Sequence, residues 1–312
     1  MKNIKNIIQA IYLHIVKIFV SKELIIVRID GGICSQMVQY AFGQLFADIT
    51  DKKGRKAKVV YDVSWFNNDG WDLTHTVHRN YDLEKLFPNI KVSKASKIEI
   101  NVYKKFYSPN TRKFEELKKL NAPFCLEEYY DAPDYLFNEQ LNKIYSLNKL
   151  VYNIENEKQL NIIHNSNNSC AIHVRRGDLA NNEKAKEYGY THGICQLNYF
   201  INAIKYIKEQ YNDITFFFFS DDIEYVQKII IPQLKNIKYE IVDINPAAEG
   251  YLDLFLISNC HHQIASVGSL GIIGYFLNKN KNKILVTNNQ HYYNIINNGI
   301  LLDNYGNLIS RK

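Results

Sequence analysis

Between Cys170 and Val286, short apolar runs alternate with helical patterns, and this alternation narrows the fold more than any other feature of the chain. The runs Cys170–Val174, Ile214–Phe219, Tyr239–Val242 and Lys283–Val286 are strand-like, and helical periodicity marks Leu197–Tyr211, Asp222–Ile230, Tyr251–Asn259 and Ser269–Asn278. Strands joined through helices do not pair as hairpins, so they predict a parallel, doubly wound sheet. A second such unit opens earlier. Leu24–Ile29 is almost continuously apolar, as a strand buried on both faces should be. Gly31-Gly32 follows, then a helix through Met37, Tyr40, Ala41 and Leu45 for which Ser35 is the expected cap, then a strand at Ala57–Tyr61. A chain of 312 residues exceeds one ordinary core. The expected architecture is therefore α/β, with two Rossmann-like doubly wound domains facing a cleft. A basic segment at 1–22 precedes domains at 23–165 and 166–312. Ligands in such sheets bind beyond the carboxyl ends of the strands.

Hydrophobic residues make up 46% of the chain, enough for two packed cores. The net charge of +6 is compatible with a nucleotide-sugar ligand, an anionic membrane or nucleic acid. The lysine-rich stretch 91–120 pairs Glu115 and Glu116 with Lys118 and Lys119, which reads as a solvated helix face, and no nucleic-acid partner is expected. Five scattered cysteines without a Cys-x-x-Cys pair predict neither a disulfide framework nor a zinc site, and point to a reducing cytoplasm. The first 22 residues carry Lys2, Lys5, Lys17 and Lys22, no acid, and isoleucines near helical spacing. They are too polar to span a bilayer and lack a cleavage site. Two readings remain: a helix lying peripherally on an anionic membrane, or one packed on the protein's own surface.

The motifs sit where strands end. After Cys170–Val174 comes Arg175-Arg176-Gly177-Asp178, with His173 the last residue but one of the strand. Arginine offers planar, permanently charged donors that match phosphate oxygens, so this pair suggests a pyrophosphate clamp. Gly31 and Gly32 let backbone approach a ligand, with Gln36 an amide contact. Asp221 and Asp222 either accept hydrogen bonds from a nucleoside or cap the following helix. The stretch Ser258 to Ser269 is read as opening a helix whose first N–H groups make a phosphate site, with Ser269 beside it. His261 and His262 lack a third metal ligand at useful spacing and read as structural.

The ordered set Gly31-Gly32…Gln36-Met37-Val38-Gln39-Tyr40-Ala41-Phe42, His173-x-Arg175-Arg176-Gly177-Asp178, Phe219-Ser220-Asp221-Asp222 and Asp253-Leu254…Ser258-x-Cys260 resembles the bacterial α-1,2-fucosyltransferase family, glycosyltransferase family 11. The resemblance covers roughly residues 23–290. It implies a GT-B fold, GDP-β-L-fucose as donor, a glycan acceptor, inversion at the sugar carbon and no metal or other cofactor. It places Arg175 on the β-phosphate, His173 and Arg176 in support, and Asp221, Asp222 and Ser269 near the nucleotide. In related α-1,6 enzymes a glutamate at the offset of Glu183 acts as base. The chain departs from the family pattern at Gly32-Ile33-Cys34-Ser35-Gln36, where Gly-Leu-Gly-Asn-Gln is usual. It departs again at Val267–Ile273, where an Asn-Ser-Ser-Phe-Ser-Trp-Trp run is usual, and the donor sugar is left open.

The chemistry agrees with that resemblance on independent grounds. A departing pyrophosphate gathers negative charge that a metal or fixed cations must stabilise. No Asp-x-Asp triplet of the metal-dependent kind occurs, while Arg175 and Arg176 are fixed cations. The attacking hydroxyl must lose a proton, and Asp178 or Glu183 on the following loop is the expected base. The alternatives are a transferase for another nucleotide sugar and a sugar-nucleotide-binding protein without turnover.

Overall fold

The computed structural model describes residues 2–54, 57–72, 75, 77–145, 153–180, 183 and 193–312, with the side chains of 2–6, 9 and 178 outside that description. The chain divides into two compact units, one formed by Met1–Asp72 with His78–Ile144, the other by Leu73–Val77 with Tyr145–Lys312. The division falls ahead of the expected limit at 165/166, so the helix Ile154–Asn165 lies in the second unit.

In the first unit, β1 (Leu24–Arg28) lies between β2 (Lys58–Asp62) and β3 (Phe124–Leu126), and both pairings are parallel. Ile25 and Ile26 are fully buried, as a central strand covered on both faces requires. The helix after β1 runs Ile33–Lys52 with Gly32 at its N-cap position, and no side chain caps it. Ser35 is not the cap; it lies in the first turn, because the helix starts directly after the glycines. β3 is only three residues long and follows a lysine-rich stretch, which hid it from sequence periodicity. In the same stretch Lys97–Phe106 forms a helix with a full capping box between Ser96 and Glu99.

The second unit carries β4 (Ser169–Val174), β5 (Thr215–Ser220), β6 (Lys238–Ile241), β7 (His262–Ala265), β8 (Leu285–Thr287), β9 (Gly299–Leu302) and β10 (Leu308–Arg311). Their order is β10-β9-β8-β7-β4-β5-β6, parallel except where β10 returns against β9. From β4 the chain steps outward through β5 and β6, then crosses back to β7 and steps outward the other way. The reversal lies between β4 and β7, which makes the carboxyl ends of these two strands the topological switch point of the sheet. Two expected helices shift. Asp222–Ile230 is a single α-turn at Ile223–Tyr225 followed by a π-turn at Val226–Ile230, and the helix after β7 begins at Leu270. The stretch from Ser258 therefore does not open a helix: its central residues His262–Ala265 are β7. Among the described residues no helix is long and apolar enough to cross a membrane.

Candidate active site

At the switch point, three loops meet because their strands are paired in register. Val174 faces Ser220 across β4 and β5, and His173 faces Ala265 across β4 and β7. The residues just beyond these ends are Arg175-Arg176, Asp221-Asp222 and Ser266–Ser269. The ends are stitched together. The Ser266 N–H donates to the His173 carbonyl at 3.2 Å, and the Arg175 N–H donates to Ser266 Oγ at 2.9 Å. Ser220 Oγ donates to the Val174 carbonyl at 2.8 Å.

Both guanidiniums are held by the acids opposite. The Arg175 guanidinium pairs with Asp221 Oδ2, while Asp221 Oδ1 accepts the Arg176 N–H at 2.8 Å. The Arg176 guanidinium stacks 3.6 Å above the Tyr225 ring and reaches Asp222 Oδ2 at 3.4 Å. Asp222 also caps the short helix after it, accepting the Tyr225 N–H at 3.0 Å. The acid pair, expected to meet the nucleoside, is thus engaged by protein and orients the clamp. Arg175 and Arg176 remain partly open, with side-chain exposures of 23% and 17%. They are preorganised cations with one side toward solvent.

His173 is buried, and its Nδ1 has no hydrogen-bond partner among the described residues. Burial, reinforced by the Arg175 charge, drives its pKa down to about 3, so the ring is neutral at physiological pH. A buried ring nitrogen without a partner is rare in a folded protein, and this one lies next in the chain to the arginine pair. Ser269 occupies the N-cap position of Leu270–Leu277 and its side chain makes no capping bond. Gly271 lets that helix rest against β4 and β7. A Cβ there would stand 2.9 Å from Ala265 Cβ and 3.0 Å from His173 Cβ.

Gly31, Gly32 and Gln36 belong to the first unit. Gln36 is fully buried; its amide nitrogen donates to the Gly31 and Asn80 carbonyls at 3.1 and 2.8 Å, and its oxygen accepts the Asp82 and Leu83 N–H groups. It clamps the first unit's own loop and has no group left for a donor sugar. Gly31 takes the left-handed φ of 71°, and Gly32 has open space around it, both at the end of β1. The backbone of Asp178 lies in the 3-10 turn Gly177–Leu179, and its side chain is outside the described residues. Glu183 is exposed, with neighbours 181–182 and 184–192 outside the description. His261 and His262 serve the fold: His261 Nδ1 accepts the Ser169 N–H at 3.1 Å, and His262 Nδ1 accepts that of Ile284 at 3.2 Å. Among the described residues no group of three His, Cys, Asp or Glu is placed to hold a metal ion. All five cysteines are buried, and none is in a disulfide.

Sequence reasoning passed over two features. Asp30, directly before the glycine pair, pairs with Arg28 at 2.9 Å and accepts from Gln39 at 2.8 Å and from the Tyr129 hydroxyl at 3.0 Å. Beyond the ends of β1 and β3 lies a polar cavity of about 420 Å³ lined by Arg28, Ser108, Asn110, Arg112, Glu127 and Tyr130. The second is the burial of Asp253, a residue the motif includes but gives no role: it pushes the carboxyl up to about 7, Asn245 opposing and Asp243 adding to the rise. The motif marks Asp253, but nothing in local sequence shows that its carboxyl is buried. Asn245 donates to it at 2.7 Å and is itself bonded to Asn156.

The model of glycosyl transferase family 11 matches residues 7–298. The chain belongs to glycosyl transferase family 11. Its relatives include an α-1,2-colitosyltransferase of Escherichia coli, 28% identical over 275 residues, covering 82% of this chain and 88% of the relative. A second is the O-antigen biosynthesis glycosyltransferase WbnK of Escherichia coli, 23% identical, covering 90% of this chain and 99% of the relative. Among solved structures, the fucosyltransferase NodZ from Bradyrhizobium aligns over 94% of this chain and 98% of its own, at a TM-score of 0.53 and 12% identity. That likeness shows the fold, two α/β units of the GT-B type.

Proposed function

We propose that this family 11 glycosyltransferase moves L-fucose from GDP-β-L-fucose to a glycan hydroxyl, O2 of a galactose, during surface polysaccharide synthesis at the cytoplasmic face of the membrane. One observation carries the reading. Arg175, Arg176, the unpartnered His173 ring and an open helix N-terminus converge at the switch point, the constellation a departing nucleoside diphosphate requires. The acceptor oxygen attacks the anomeric carbon from the face opposite the nucleotide. The bond between that carbon and the phosphate oxygen breaks, configuration inverts, and GDP leaves with its new charge on Arg175 and Arg176. The acceptor proton passes to Asp178 or Glu183. With fixed cations supplying the charge, the reaction proceeds without a metal. The acceptor is recognised by the first unit, where the cavity between Arg28 and Arg112 offers the planar polar groups and aromatic edge that sugar hydroxyls bind.

A second donor is favoured by a specific observation: one relative is named a colitosyltransferase, and the residues at Ser35 and Val267–Ile273 differ from the usual fucosyltransferase pattern. A donor panel of GDP-fucose, the activated form of colitose, other GDP-sugars and UDP-sugars, run with and without EDTA, tests both readings. We expect chelator-resistant transfer from GDP-fucose. Transfer from the colitose donor alone replaces fucose while keeping the site. Transfer from UDP-sugars only, or activity lost to EDTA and restored by manganese, overturns the reading.

A further inference from the structure

The N-terminal helix Lys2–Val16 and the turn after it display seven large apolar side chains to solvent. Ile7, Ile8, Ile11, Tyr12 and Ile15 are 51–62% exposed, Ile18 is 75% and Phe19 is 81% exposed. At helical periodicity these seven share one face. The opposite face carries the docking contacts. Leu13 is buried, the His14 ring meets the Phe106 ring edge-on at 4.7 Å, and the Lys17 ammonium lies 4.5 Å from the Phe106 centroid and 5.2 Å from that of Tyr107. The helix is therefore seated on Lys97–Phe106 by its other side, and the isoleucine stripe does not belong to the core. A contiguous exposed apolar patch of this kind marks an interaction surface.

The charge around the stripe identifies what it meets. Residues 1–22 hold Lys2, Lys5, Lys17 and Lys22 and no acid, and exposed Lys105 lies on the helix it packs against. A second copy docking stripe to stripe would bring lysines against lysines. An anionic lipid surface meets both needs, taking the isoleucines and Phe19 into the acyl boundary while the segment's net positive charge draws it to the headgroups. We infer that residues 7–19 form an interfacial membrane anchor selective for anionic lipid, independent of which sugar the enzyme transfers.

The test is co-sedimentation of the full chain with vesicles of phosphatidylcholine alone or mixed with phosphatidylglycerol. It is repeated at low and high salt and beside the variant Ile11→Glu/Ile15→Glu. Both substituted side chains are exposed, so the variant should keep its melting temperature and its turnover on a soluble acceptor. We expect binding to the anionic vesicles only, weakened severalfold by high salt through screening. In the variant it should fall on the order of tenfold or more, because two carboxylates must enter the interface. The inference is overturned if the wild-type chain ignores anionic vesicles. It is overturned equally if the variant binds them as well as wild type while melting at a lower temperature, which would make the stripe structural. Light scattering in the absence of lipid supplies a third arm: a wild-type dimer that the variant converts to monomer would assign the stripe to a second copy.

Discussion

In the proposed reaction, Arg175 is the residue on which the chemistry depends most directly. Its backbone is fixed by Ser266 and its guanidinium by Asp221, so it meets developing charge without reorganising. Arg175→Ala should lower kcat by about 100- to 1,000-fold, the usual cost of removing one preorganised donor, with the far-UV spectrum and melting curve little changed. Arg175→Lys keeps charge but loses the planar fork, and should fall between the two. Retention of more than a tenth of wild-type turnover in the alanine variant at saturating donor would take Arg175 out of the mechanism. Gln36 invites the opposite expectation. Gln36→Ala strips the Asp82 and Leu83 N–H groups of their acceptor, a loss on the order of 2 kcal/mol or more for buried donors. The urea midpoint should drop while the donor KM of the folded enzyme holds. A raised KM at unchanged stability would restore Gln36 to the donor site.

At the scale of elements, what was legible followed from chemistry that is local in sequence. β1, β4, β5 and β8 announce themselves because buried parallel strands are apolar runs, and Phe216–Phe219 is such a run, while β2 and the more exposed β6 carry shorter β-branched or aromatic stretches. β7 escapes that signal although it is central. His262 and Gln263 are polar yet buried, their demands met by Ile284 N–H and by the Ile257 and Cys260 carbonyls at 3.0 Å. Hydropathy cannot show a polar side chain whose partners arrive from distant segments. The same holds at the site: the arginine pair was visible as a motif, whereas the engagement of Asp221 and Asp222 depends on strand order. The helix Leu270–Leu277 rests against β4 and β7 at Gly271, a contact that also depends on the crossover. Gly271→Ala should push its N-terminus off the site, at about 1–3 kcal/mol for overpacking. We expect the melting temperature to fall by about 2–4 °C per kcal/mol, together with a raised donor KM. An alanine variant with wild-type stability and KM would show that the helix start tolerates displacement.

For the molecule as a whole, the balance of buried titrating groups sets its response to acid. His173 is held down to about 3 by burial and by Arg175, and His262 to about 4 by burial and by His261. Each therefore binds its proton more readily unfolded than folded. Their contribution is complete above the unfolded histidine pKa of about 6.5 and is lost as pH falls through the folded values. Asp253 works the other way. Burial raises its pKa to about 7, so the folded state retains a proton that the unfolded chain releases above about 4, and its contribution is lost as pH rises through 7. Between about 4 and 6.5 these two histidines, with His261 lowered in the same direction by burial and by His164, oppose one aspartate, and the net expectation is loss of stability on acidification. Melting curves taken from pH 7.5 to 4.5 should fall for the wild-type chain and fall more steeply for Asp253→Asn, which deletes the opposing slope while keeping an acceptor for Asn245. A wild-type curve that rises toward pH 5 would mean that neither histidine is held neutral in the folded state. In that case the unpartnered His173 ring could no longer be counted among the neutral groups of the phosphate site.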